Sequence, residues 1–202
     1  VIPIPDPSVP LVVGQLISPR WYDFLNAIAS GMAYERLIAG SVPANSAALE
    51  VKLSSPYLGG YRGIQVKLAG FVPVNNVVDL WLTISADGGA TYLNTGYHYS
   101  FSSVTDAGTQ SLTGNSNDSK FLLVPSMSNV AAYGVNLSLE LLNHGDVSKT
   151  PRPLWSAYQI GGAVAVISGG GTFAGATSVN ALKFAFSSGN IASGAYEVIG
   201  IR

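Results

Sequence analysis

Apolar and polar residues alternate with a period of two through most of this chain. Leu49, Val51 and Leu53 alternate with Glu50 and Lys52, and Ile64, Val66 and Leu68 alternate with Gln65 and Lys67. The same period runs through Val78-Leu80-Leu82-Ile84, Tyr97-Tyr99-Phe101, Val135-Leu137-Leu139-Leu141 and Leu182-Phe184-Phe186. Successive side chains of a strand point to opposite sides, so each run predicts a half-buried β-strand. Turn formers separate the runs: Ser54-Ser55-Pro56, Ala86-Asp87-Gly88-Gly89, Gly114-Asn115-Ser116-Asn117, Asn143-His144-Gly145-Asp146 and Ser187-Ser188-Gly189-Asn190. Together they predict a mainly β fold, an antiparallel two-sheet β-sandwich or jelly roll over residues 33–202. No internal repeat of fixed period is present.

Two different segments precede it. Residues 1–17 carry Pro3, Pro5, Pro7 and Pro10 among Val, Ile and Leu. Proline fixes φ and removes N–H donors, so this stretch predicts an extended arm, its apolar side chains suited to a groove on a neighbour. Residues 18–32 change period. Ser18 is placed to cap a helix that starts at Pro19, and Trp21, Phe24, Leu25 and Ile28 then fall on one face. A helix this short must bury its stripe. Either it docks on its own domain or three copies bundle about an axis.

Composition narrows the partners. Only 10% of the 202 residues are charged, and none of Asp, Glu, Lys or Arg occurs between Arg152 and Lys183. Free soluble domains carry charges on about a quarter to a third of their surface positions, so this surface suits packing against other chains. A net charge of −1, with ten basic residues scattered singly, argues against a nucleic-acid partner. The absence of cysteine removes disulfides and thiolate metal sites. The best candidate membrane span, from Ile160 to Ser178, is interrupted by Gly161, Gly162 and Gly169-Gly170-Gly171, so no span is expected. The N-terminus lacks the basic and apolar regions of a signal peptide, and none is expected.

Chemistry-bearing motifs are few. Ser85, Asp87, Gly89, Thr91 and Tyr92 fit S-x-D-x-G-x-T-aromatic and resemble the Asp-box of sialidase propellers and other β-proteins. In such a turn the Asp accepts backbone N–H groups and the glycine supplies positive φ. With one copy in a chain too short for such a propeller, the motif reads as a structural hairpin tip. Val164 to Ala174 mimics a strand entering a dinucleotide-binding glycine loop, but the helix and following acid such a site needs are missing, leaving a glycine hairpin. His98 and His144 lack metal-ligand spacing. Asn115, Asn117 and Asp118 have calcium-type oxygens but read as a polar turn. No catalytic, cofactor or metal residues are nominated, and no enzyme activity or cofactor is expected. The aromatics Tyr57, Tyr61, Tyr92, Trp155 and Tyr158 fall at expected loops and suit either a sugar face or a protein interface.

Several stretches resemble the β-module of tailed-bacteriophage fibre and spike proteins. They are Leu53-Ser54-Ser55-Pro56-Tyr57, Tyr61-Arg62-Gly63, Ile84 to Tyr92, and Leu182 to Gly194. The opening Ile17-Ser18-Pro19-Arg20-Trp21-Tyr22-Asp23-Phe24-Leu25 is similar to the short helix that begins several such proteins. The resemblance implies an oligomeric virion structural protein, trimeric for preference. Residues 1–17 would attach it to other virion proteins, and its aromatic loops would offer contact with a host-surface glycan. The alternative expectation is a free-standing carbohydrate-binding module or lectin-like adhesin.

Overall fold

The computed structural model describes residues 12–13, 16–17, 34–53, 61–160, 163–175 and 177–202. The expected helix over 18–32, with Trp21, Phe24, Leu25 and Ile28, lies outside the described residues, as does Tyr57. Within the N-terminal arm, β1 (Val12–Val13) pairs antiparallel with β2 (Leu16–Ile17). That short pairing departs from the purely extended arm the prolines predict, and it falls beyond the last of them, where N–H donors return.

The body is a sandwich of two antiparallel sheets. The larger holds β3 (Tyr34–Ser41), β5 (Gly63–Pro73), β7 (Tyr97–Thr105), β8 (Gln110–Asp118), β10 (Val135–Leu142), β11 (Arg152–Ile160), β12 (Val164–Phe173) and β14 (Ile191–Ile201). Their order is β3-β14-β5-β10-β11-β12-β7-β8. The smaller is β4-β13-β6-β9, from Leu49–Lys52, Ala181–Phe186, Val78–Ser85 and Phe121–Met127. The alternating runs of the sequence supply the core: Ile64, Val66, Leu80, Leu82, Ile84, Tyr97, Leu139, Leu141, Leu182 and Phe184 are all buried between the sheets. No helix among the described residues is long and apolar enough to cross a membrane.

Side-chain hydrogen bonds stitch the two sheets together. The buried Tyr97 hydroxyl on β7 accepts from the Ile84 N–H of β6 at 3.0 Å and donates to the Leu93 carbonyl at 2.9 Å. The Trp155 indole N–H on β11 donates to the Leu123 carbonyl of β9 at 3.0 Å. Gln159 Nε2, two pleat repeats further on, reaches the Pro125 carbonyl at 3.2 Å. Each satisfies a buried polar group whose isolation would cost about 1–3 kcal/mol.

Two expected turns are strand instead. Gly114-Asn115-Ser116-Asn117 continues β8, and the chain reverses earlier, at residues 106–109, where Gly108 takes φ +74°. Gly169-Gly170-Gly171 runs through the middle of β12 and makes no hairpin. Their neighbours explain them. Gly169 lies in register between Trp155 of β11 and Phe101 of β7, and a Cβ there would come within 2.5 Å of the Trp155 ring. Gly170 leaves room for Leu154, and Gly171 for Phe121 and Tyr99. Gly169 and Gly170 are spacers for large side chains on adjacent strands, while at Gly171 a Cβ would first meet the His98 carbonyl of β7 at 2.5 Å.

Candidate functional site: the outer face of the large sheet

The registers assign every residue of the large sheet to one of its two faces. Ser138 of β10, Ser156 of β11, Ser168 of β12 and Ser102 of β7 stand directly opposite one another, forming a serine row across four strands of the solvent face. The row runs on to Lys67 and Glu197 at one end and Leu112 at the other. One neighbouring row holds Asn136, Tyr158, Val166, Val104 and Gln110; the other holds Gln65, Glu140, Leu154, Gly170, Ser100 and Gly114.

Charge and apolarity are segregated on this face. Lys67, Glu140 and Glu197 all lie on β5, β10 and β14, with Glu197 directly opposite Lys67 and 3.9 Å from Arg36. Across β11, β12, β7 and β8 the only charge in these outward positions is Arg152, at the start of β11. In its place stand Leu154, Tyr158, Val166, Val104 and Leu112, each between 42% and 78% exposed. Tyr158, Val166 and Val104 are consecutive neighbours across three strands, with Leu154 and Leu112 in separate rows. Scattered single apolar residues are ordinary on a protein surface, whereas a contiguous group such as these three marks an interaction surface. The small serines and Gly170 keep this face low, and three shallow hollows open onto it. One of about 430 Å³ is lined by Lys67, Asn136, Ser138, Ser156, Tyr158 and Val166; others of about 480 and 320 Å³ adjoin Leu112 and Leu154.

The predicted aromatics do not converge. Trp155 is corrected from a loop contact to a core residue: it lies in β11, 3% exposed, with its N–H committed to Leu123. Tyr158 also belongs to β11 but alternates to the outer face. Tyr61 sits at one end of the sheet, where its hydroxyl donates to Glu35 at 2.7 Å and the Arg202 guanidinium lies 5.0 Å from its ring. Tyr92 is on the opposite side of the molecule, its ring 4.2 Å from Lys183 Nζ. Burial first, and then the neighbouring Glu50 carboxylate, push its hydroxyl up to about 12.

The Asp-box-like turn has its expected hydrogen bonds in a different setting. Ser85 Oγ donates to Asp87 Oδ1 at 2.6 Å and accepts from the Gly89 N–H at 2.9 Å. Thr91 donates to the same carboxylate through its N–H at 2.9 Å and its hydroxyl at 2.6 Å. The Ser85 hydroxyl, followed by Thr91, holds the Asp87 carboxyl well below the usual aspartate range. Gly88 and Gly89 take φ +76° and +88°. The turn is no hairpin tip, because it carries the chain from β6 in the small sheet to β7 in the large one. Its anchor was missed in the sequence: Asn180 accepts from the Gly88 N–H at 2.7 Å and donates to the Ala86 carbonyl at 2.9 Å. Nothing local announces that contact across more than ninety residues.

Asp118 accepts hydrogen bonds from Tyr99, Asn115, Ser119 and Lys120, and Asn117 accepts from Thr95 and Gly96, so these oxygens serve protein donors. His144 is buried in its turn, and His98 is half-buried on the outer face of β7. The chain matches no protein-family model, no curated protein and no solved structure.

Proposed function

We propose that this protein is a structural subunit of a tailed-bacteriophage virion: a fibre, spike or decoration protein that assembles as a trimer and performs no catalysis. The observation that carries the reading is the apolar-studded outer face of β11, β12, β7 and β8, charged only at Arg152. Those four strands, spaced about 4.8 Å apart, reach the ~800 Å² that one partner of a standard interface buries only together with the neighbouring β10 and β5, which carry Glu140 and Lys67. A symmetric oligomer removes such a face from water. The sequence resemblance adds the particle, with residues 1–17 as the attachment and residues 18–32 at the oligomer axis. The test is electron microscopy of particles with and without this chain. Loss of a fibre, spike or surface density supports the reading; particles that keep every feature overturn it.

A second reading is favoured by one observation. In the hollow beside Tyr158, an aromatic ring adjoins the polar side chains of Asn136, Ser138 and Ser156 and the Lys67 ammonium, the mixture a saccharide needs. On that reading the protein is a carbohydrate-binding adhesin. It requires glycan affinity that Tyr158→Ala abolishes, and a flat response across a broad glycan panel removes it.

A further inference from the structure

The open edge of a sheet presents unpaired N–H and C=O groups, and natural β-proteins blunt such edges with charge, proline, bulges or brevity. Among the described residues the sandwich has four edges, and three of them do so. Edge β3 carries Glu35 and Arg36, which face Arg202 at 2.8 Å and Glu197 at 3.9 Å. Edge β4 has only four residues, two of them Glu50 and Lys52. Edge β9 contains Pro125 and shifts register twice against β6.

Strand β8 has none of these along its length. It is nine residues long and, among the described residues, pairs only with β7. Residues 110–117 are exposed on both faces, and Leu112 is 78% exposed. Proline is absent and the first charge is the terminal Asp118, while its single register shift, between Tyr97 and Tyr99, falls at that same end. Long, uncharged and regular, such an edge is a template for another strand.

We propose that β8 pairs antiparallel with β8 of a second copy, about a two-fold axis through Thr113. Self-pairing is selected by charge. Residues 107–117 are uncharged, so no like charges meet, and Asp118 falls opposite Gly108 of the partner copy. Edge β3 is a poorer match because its charged side chains already serve its own sheet. Size agrees as well. Leu112 and Gly114 both point to the outer face, opposite Ser102 and Ser100 of β7. In this register each Leu112 stands beside the partner's Gly114, filling the space that a glycine leaves. The two-fold keeps both outer faces on one side and joins the uncharged surfaces of two copies. This pairing goes beyond the virion reading and rests on the edge chemistry alone.

The test uses the full-length chain, with mass measured by light scattering at micromolar concentration. Thr113 is exposed, so Thr113→Lys and Thr113→Glu should keep the wild-type circular dichroism and melting temperature. On the two-fold each would face its own copy, with Cβ atoms about 5 Å apart. The wild type should contain an even number of protomers. Either variant alone should lower the mass at least two-fold, and an equimolar mixture should recover it, because Lys then faces Glu. A mass insensitive to both variants, an odd number of protomers, or loss without recovery on mixing overturns the pairing. The last result would instead indicate β3 or a foreign strand on this edge. A trimer indifferent to Thr113 would refute the β8 pairing while leaving the virion reading in place.

Discussion

Adding one methyl group at Gly169 tests whether the glycine run of β12 is a set of spacers. Gly169 does not adopt positive φ, so alanine fits its backbone and any cost is steric. The new Cβ would lie 2.5 Å from Trp155 Cζ2 and 2.6 Å from Phe101 Cβ, about 1 Å inside ordinary carbon–carbon contact. These obstacles sit on strands flanking the glycine on both sides, so relieving one tightens the other. Trp155 is further held by its 3.0 Å bond to Leu123. Overpacking of this kind costs about 1–3 kcal/mol, and replacing glycine by alanine returns about 0.4–1 kcal/mol from the unfolded chain. The net expectation for Gly169→Ala is a loss of about 1–2 kcal/mol, or about 2–8 °C in Tm for a domain of this size. Gly170→Ala is the control: its Cβ meets the Leu154 Cδ2 end, which can swing into solvent, and it should be nearly neutral. Urea unfolding followed by tryptophan fluorescence measures both. In a Trp155→Phe background the Gly169→Ala penalty should shrink, giving a coupling of about 1 kcal/mol. A Gly169→Ala protein as stable as wild type, or no more affected than Gly170→Ala, would refute the spacer argument.

Other expectations follow from the turns and the outer face. Asn180→Ala removes two hydrogen bonds that hold the residue 86–91 turn, and should lower stability by about 1–2 kcal/mol in thermal melts; an unchanged Tm would show that the turn holds itself. The Ser85 hydroxyl depresses the Asp87 carboxyl, and the Ser148 hydroxyl holds Asp146 down at about 2. Folded values below the unfolded value of about 3.9 mean that both groups stabilise the fold above that pH and lose their contribution as pH falls through the folded values. Stability should therefore drop on acidification below about pH 4, with a shallower slope in Asp87→Asn; identical slopes would remove Asp87 from the account. Val166→Lys, placing a charge in the middle of the apolar row, should reduce the assembled mass while leaving circular dichroism unchanged, and an unaltered mass would clear that row of any role in assembly.

The period-two runs were enough to locate the buried faces of β4, β5, β6, β7, β10 and β13, because each has one side in the core and one outside. Strand β8 escaped that pattern for the same reason: with neither face buried, nothing drives its residues to alternate, and Gly114 to Asn117 look like a turn. The glycines of β12 were misread because their partners Trp155, Leu154 and Phe101 come from other strands, and spacing along the chain does not reveal which residues stand opposite. The outer face was legible only in aggregate. A charge-free stretch from Pro153 to Leu182 was plain in the sequence, but its alignment with Val104 and Leu112 depends on the β11-β12-β7-β8 order. Trp155 and Tyr158, read together as loop aromatics, are separated by strand alternation into a core tether and a surface residue.

The central claim is that the uncharged outer face is covered by other copies of the chain. Light scattering on the full-length protein at micromolar concentration tests it most directly. The account predicts trimers of the 20.9 kDa protomer joined in pairs through β8, six protomers in all; a bare trimer would keep the central claim and refute only the β8 pairing. A stable monomer carrying Leu154, Tyr158, Val166, Val104 and Leu112 open to water would contradict it.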